Sequence, residues 1–170
     1  MPKKILLLAI VLAAALAGWL CYYFSDKMVI RRQFAELARD LSKEEQEQPI
    51  PMALKMGKVK NMLATTCQAA VPEKGYAEEL EQGLVLQYVI YYRSRYTRLT
   101  VQVDDLQITI PAKGQAVVHL TAQLQRHLPG QMEPPMESHP VQLSLLKGDE
   151  RWLIQKAVLP ASLINDNTAP

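Results

Sequence analysis

The apolar positions of this chain follow two rhythms, and the change between them divides it. Up to Tyr96 they recur every three or four residues; from Leu99 onward they alternate. Ile30, Phe34, Leu37 and Leu41, with charged residues between them, predict an amphipathic helix from about Ser25 to Glu47. The Gln48-Pro49-Ile50-Pro51 stretch stops it, because each proline removes a donor and disfavours helix in the residue before. Met52, Met56, Val59 and Leu63 predict a second helix, with Lys55, Lys58 and Lys60 toward solvent. Thr65 to Gly75 reads as a short irregular or strand-like piece. Leu80, Leu84, Tyr88, Tyr91 and Arg95 then predict a third helix from about Ala77 to Tyr96.

In the second half Leu99, Val101 and Val103 share one parity, whereas Leu106, Ile108 and Ile110 share the other. A change of parity within one strand requires an extra residue, so a β-bulge is predicted near Asp104. Pro111 to Gly114 is read as a turn. Ala116, Val118, Leu120, Ala122 and Leu124 then form one face of a long half-buried strand, opposite Val117, His119, Thr121, Gln123 and Gln125. His127 to Pro140, rich in proline, reads as an exposed hairpin loop. Val141, Leu143 and Leu145 predict a third strand. After a turn at Lys147-Gly148-Asp149-Glu150, Trp152, Ile154 and Val158 predict the closing one. Asn165 to Pro170 is a polar tail, expected to be frayed.

Ahead of the first helix lies Ile5 to Phe24, 20 consecutive uncharged and mainly apolar residues. At about 1.5 Å rise per residue such a helix spans the roughly 30 Å hydrocarbon layer. Lys3 and Lys4 followed by an apolar run and Ala15-Leu16-Ala17 also fit a secretory signal cleaved after Ala17. Two features favour retention: the run continues past the cut, and Trp19, Tyr22 and Tyr23 sit where an interfacial aromatic belt lies. Either way residues 25–170 are expected outside the cytoplasm, as a single-pass protein of the inner (cytoplasmic) membrane or as a secreted one. The expected organisation is a membrane segment over 1–24, one domain over 25–163 and the tail over 164–170.

Charge narrows the functions available. Lys3 and Lys4 account for the whole surplus of +2, which leaves residues 25–170 with 17 basic and 17 acidic groups. A neutral domain lacks the basic footprint of a nucleic-acid binder. Cys21 lies in the apolar segment and Cys67 stands alone in the domain, so neither a disulfide within the domain nor a Cys-x-x-Cys site is possible.

Three helices followed by hairpin-joined strands, the last of them entered through Lys147-Gly148-Asp149-Glu150-Arg151-Trp152-Leu153-Ile154, resemble the nuclear-transport-factor-two-like superfamily, in its polyketide-cyclase-like (SnoaL-like) branch. The bulged strand Leu99–Ile110 adds to the likeness, which covers roughly residues 26–162. The resemblance implies an α+β fold in which a strongly bent antiparallel sheet wraps the helices as a cone around an apolar pocket. It does not carry function across, because such folds serve enzymes, ligand binders and interaction domains alike.

Enzymes of that superfamily place Asp, His, Arg or Tyr on the pocket side. Asp104 and Asp105 are the candidate general bases; against this stands the simpler reading of a solvated pair marking the parity slip. Tyr88, Tyr91 and Tyr92 are candidate pocket hydroxyls, although packing is the better account of them. His119 falls on the solvent parity, His127 and His139 in or beside the proline-rich loop, and no metal-ligand spacing joins them. No cofactor is implied. The expectation is a membrane-tethered, non-catalytic cell-envelope domain whose partners are the bilayer, through Ile5–Phe24, and a protein, a small apolar ligand or a second copy, the last through the sheet face. The alternative is an isomerase, cyclase or hydratase using Asp104 or Asp105.

Overall fold

A computed structural model describes residues 25–130 and 134–164, together with Leu12. The segment Ile5–Phe24 therefore lies outside the described residues except for Leu12, as does the tail Asn165–Pro170. Among the described residues no helix is long and apolar enough to cross a membrane.

The first helix, α1, spans Asp26–Leu41 and turns Ile30, Phe34 and Ala38 into the core. It ends six residues before the expected Glu47, and the reason is local. Ser42 is extended, its hydroxyl donates to Ala38 O (2.8 Å) and accepts from Val101 N (3.0 Å), and Lys43 then pairs with Leu99. Helix α2, Pro49–Lys60, places both prolines in its first turn, where no backbone donor is needed, and buries Met56 and Val59.

The chain next forms two strands, the first over the stretch read as irregular or strand-like and the second over the expected start of the third helix. Strand β1 is Leu63–Val71, and after a 3-10 turn at Pro72–Lys74 strand β2 is Tyr76–Glu81. On β1 the buried residues are Leu63, Cys67 and Val71, a four-residue interval that imitates a helix. On β2, an edge strand, Leu80 is the buried residue and pairs with Cys67. Leu80 and Leu84 thus belong to different elements, and helix α3 is Gln82–Ser94.

The alternating half of the sequence forms β3 (Arg98–Ala112), β4 (Gln115–His127), β5 (Glu137–Lys147) and β6 (Trp152–Val158), then the short helix α4 (Ala161–Ile164). The bulge is where the parity slip placed it: Asp104 faces Thr121, but Gln107 faces His119, and Asp105 takes a left-handed φ of 51°. The loop between β4 and β5 is shorter than expected, because both strands extend into the proline-rich stretch.

The six strands form one curved, unclosed sheet in the order β2-β1-β6-β5-β4-β3, antiparallel except for β1 beside β6. Its inner face supplies Ile108, Ala116, Val118, Leu120, Leu143, Leu145, Trp152 and Ile154, which close on Ile30 and Phe34 of α1. These side chains fill the bowl with a packed core.

Candidate functional site

Alternation on β4 buries Ala116, Val118 and Leu120 and turns His119 and Thr121 to the opposite, outer face. Register carries that face across the sheet: His119 stands opposite Gln107 of β3 and Gln142 of β5, and Gln142 opposite Val158 of β6. In the next rung Thr121 stands between Asp104 and Pro140. Strand β6 stops at the level of Gln142, so Pro140 sits beyond its end, where a missing N–H costs no ladder bond. The step left by the end of β6, together with the bulge, opens a groove of about 520 Å³ lined by Asp105, Gln107, His119, Thr121, Pro140, Gln142 and Val158, with Leu120 and Val141 beneath.

Asp105 owes its place to the bulge. Its left-handed backbone is disfavoured for a residue with a Cβ, although Asp tolerates it better than most, and there Asp105 Oδ2 accepts from Thr121 Oγ1 at 3.2 Å. The groove therefore offers a carboxylate, an imidazole, two amides and a hydroxyl over an apolar floor, a set suited to orienting a polar ligand or an extended peptide.

A second polar group of residues lies on the inner face at one end of the bowl, reached by continuing the same parity. Arg126 follows Leu124 inward on β4, and Glu137 and His139 precede Val141 inward on β5. Arg126 is ion-paired with Glu137, and its Nη1 donates to the hydroxyls of Tyr92 (3.2 Å) and Tyr96 (3.5 Å). Burial opposes the charge on Arg126, but those hydrogen bonds outweigh it and raise the pKa above its already high ordinary value. His139, 4% exposed, holds Ser162 Oγ at 3.0 Å from Nδ1, and its Nε2 lies 3.3 Å from Glu137 Oε2 without a hydrogen-bonding geometry.

The candidates from sequence are thus dispersed. Asp105 lines the outer groove; Asp104 is exposed beside it. Tyr88 and Tyr91 are 56% and 65% exposed on α3, away from the filled bowl, and Tyr92 alone of the three joins the Arg126 group. His139 is a buried strand residue, which corrects its assignment to the loop. His119, read as solvated, is exposed but shares the groove with Asp105. The missed residues Arg126, Glu137 and Ser162 had one usable signal: a two-residue step extended past the last apolar side chain of each strand points to the first two.

An open sheet folded over three helices with this strand order is the nuclear-transport-factor-two-like fold. Among solved structures the chain is similar to a candidate scytalone dehydratase from Novosphingobium aromaticivorans (TM-score 0.61, 9% identity, 77% of this chain and 80% of that one). It is similar also to Aln2 from a Streptomyces species (0.61, 9%, 80% and 91%) and to ActVI-ORFA from Streptomyces coelicolor (0.59, 9%, 78% and 94%). At such identities the likeness is one of fold. No family model and no curated protein matches the sequence.

Proposed function

We propose that this chain is a single-pass, membrane-tethered domain of the cell envelope that binds a partner protein or a small ligand in the outer groove and catalyses no reaction. The groove carries the reading. Its volume is that of a ligand site, about 300–1,000 Å³, but it lies open on the sheet, whereas a carboxylate acting as general base is normally held in a water-poor pocket. Ile5–Phe24, long and apolar enough for one crossing, is the proposed tether.

The competing reading makes Asp105 the base of a small-molecule isomerase, cyclase or hydratase. Its support is Asp105 itself, held in a disfavoured backbone conformation at the groove wall, and the likeness to the candidate scytalone dehydratase.

Alkaline extraction of membranes and the intact mass of the extracted chain test the tether; a soluble product beginning at Gly18 would remove it. A photo-crosslinking residue at Gln142 tests the groove: the expected adduct is lost when His119→Arg fills the site. Turnover of a small carbonyl substrate that disappears in Asp105→Asn would overturn the binding reading.

A further inference from the structure

His139 is a buried side chain that the outer groove leaves out, and both of its ring nitrogens meet other side chains. It is 4% exposed near the start of β5, with Nδ1 3.0 Å from Ser162 Oγ and Nε2 3.3 Å from Glu137 Oε2. Ser162, by contrast, is exposed on α4. The carboxylate beside Nε2 favours the tautomer with its proton there, so in the neutral ring Nδ1 accepts from the Ser162 hydroxyl.

Both ends of this relay are held. Arg126 grips Glu137 through both oxygens, Nε donating to Oε1 at 3.2 Å and Nη2 to Oε2. The turn leading to Ser162 is fastened by Leu159 N donating to Ala70 O (2.9 Å) and by Ala161 N donating to Glu73 Oε2. A hydroxyl on an imidazole that is itself backed by a carboxylate is the arrangement that makes a serine nucleophilic, in any chain order. The two nitrogens have exchanged the partners they have in serine proteases, which leaves the direction of proton transfer unchanged.

We propose that Ser162 is a covalent acyl acceptor, taking its acyl group from a thioester or a similarly activated ester with His139 as general base and Glu137 as the positioning residue. Ser162 Oγ attacks the carbonyl carbon; the Oγ–C bond forms and the C–S bond of the thioester breaks. The hydroxyl proton passes to His139 Nδ1 and from there to the departing thiolate, which leaves as a thiol, with no change of oxidation state. While the ring carries both protons, Glu137 Oε2 faces the positive charge.

The class of donor is set by what flanks Ser162. The N–H groups of Ala161 and Leu163 are already engaged, by Glu73 and by Pro160 O (3.1 Å), so neither is available to an oxyanion. Losing one such donor slows acyl transfer by about 10²–10³, which restricts the site to donors with good leaving groups. The alkyl ester so formed is not activated, and it stays on the chain. His139 points to the inner face and Pro140 to the outer, so the acceptor and the groove lie on opposite faces of β5.

The test treats the full chain at neutral pH with p-nitrophenyl acetate, an activated ester, and locates the acetyl group by peptide mass mapping. The expected result is acetyl on Ser162 and about one equivalent of phenolate per chain beyond that released by Ser162→Ala, whose lysines acylate alike. His139→Gln keeps a polar side chain but no base, and should slow the step about 100-fold with native far-UV dichroism. No acetyl on Ser162, or an equal rate in His139→Gln, overturns the proposal. Release that continues past one equivalent and disappears in Ser162→Ala overturns the acceptor role, because the chain would then be an esterase.

A second measurement does not need the His139 variant to fold. In Ser162→Cys the imidazole takes the thiol proton, so iodoacetamide should alkylate that position about tenfold faster than it does glutathione, while Cys67 stays buried. Adding Glu137→Gln should return the rate to the glutathione level, because the imidazolium loses its carboxylate. A rate no faster than that of glutathione in Ser162→Cys overturns the relay, and a rate unchanged by Glu137→Gln overturns the part given to Glu137.

Discussion

Arg93 is 3% exposed and clamps the turn between α1 and α2 to the end of α3. Its Nε donates to Leu41 O (2.9 Å), and its Nη2 donates to Ser42 O (2.9 Å) and to both carboxylate oxygens of Glu47 (3.1 and 2.9 Å). Replacement by Met keeps the aliphatic stem and removes every one of these bonds. Breaking a buried ion pair costs about 3–5 kcal/mol when the remaining charge is stranded. Here Glu47 keeps Lys55 at 2.7 Å, and Ser42 O keeps the same ammonium at 3.3 Å, which moves the expectation to the lower end. The cost of Arg93→Met is therefore about 3 kcal/mol, or a Tm lower by about 10 °C for a domain of this size. Arg93→Lys, lacking the planar fork, should lose about half as much. Urea unfolding followed by far-UV dichroism measures both variants. A loss below about 1 kcal/mol for Arg93→Met would refute the reasoning, because it would mean that the buried carboxylate and carbonyls find equal partners without the guanidinium.

Asp105 should divide its substitutions by backbone conformation: at φ 51°, Asp105→Val is expected to destabilise by about 2 kcal/mol, whereas Asp105→Gly should be neutral within about 1 kcal/mol, and equal losses in urea would refute the strained position. Burial pushes the Cys67 thiol up from 9.0, against a smaller opposing effect of its hydrogen bond to Ala64, so the native state disfavours the thiolate. The stability this contributes is fully present below pH 9 and is lost as pH rises above it, because the unfolded chain ionises first. Wild type should accordingly lose more stability between pH 8 and 10.5 than Cys67→Ala, by comparison of urea midpoints. Val118, fully buried in the core, should cost about 2–3 kcal/mol as Ala, read as the same midpoint shift.

Where the sheet has one dry and one wet face, the sequence states its structure plainly. The run Ala116 to Leu124 gives its inner side by alternation alone, and the parity slip at Asp104 locates the bulge. Strand β1 was legible only as an irregular or strand-like piece and β2 was taken for the start of a helix, both for a physical reason. β1 carries Ala69 and Ala70 among its half-buried positions and an irregular register against β6 between Leu63 and Gln68, so its large buried residues fall four apart rather than two. β2 buries one residue and shows no alternation. The groove was half legible: Asp105 was named, but His119, Gln107 and Gln142 are separated by 12 to 35 residues and become neighbours only through strand register. The clamp at Arg93 has no signature along the chain, because its partner Glu47 lies 46 residues away in the turn between α1 and α2.

The groove lies on the outer face of the sheet, whereas the helices pack toward the inner face. Pairing of two copies through the sheet face would therefore cover Val117, His119 and Thr121 and close both grooves. His119 reports such pairing, since His139 is 4% exposed and His127 is half-buried, so neither competes strongly for a water-borne reagent. Brief treatment of the full chain with diethyl pyrocarbonate, followed by peptide mass mapping, should modify His119 first, at a rate unchanged between dilute and concentrated protein. Protection of His119 that grows with concentration would instead place a second copy over the groove, and the ligand site proposed there would become an interface.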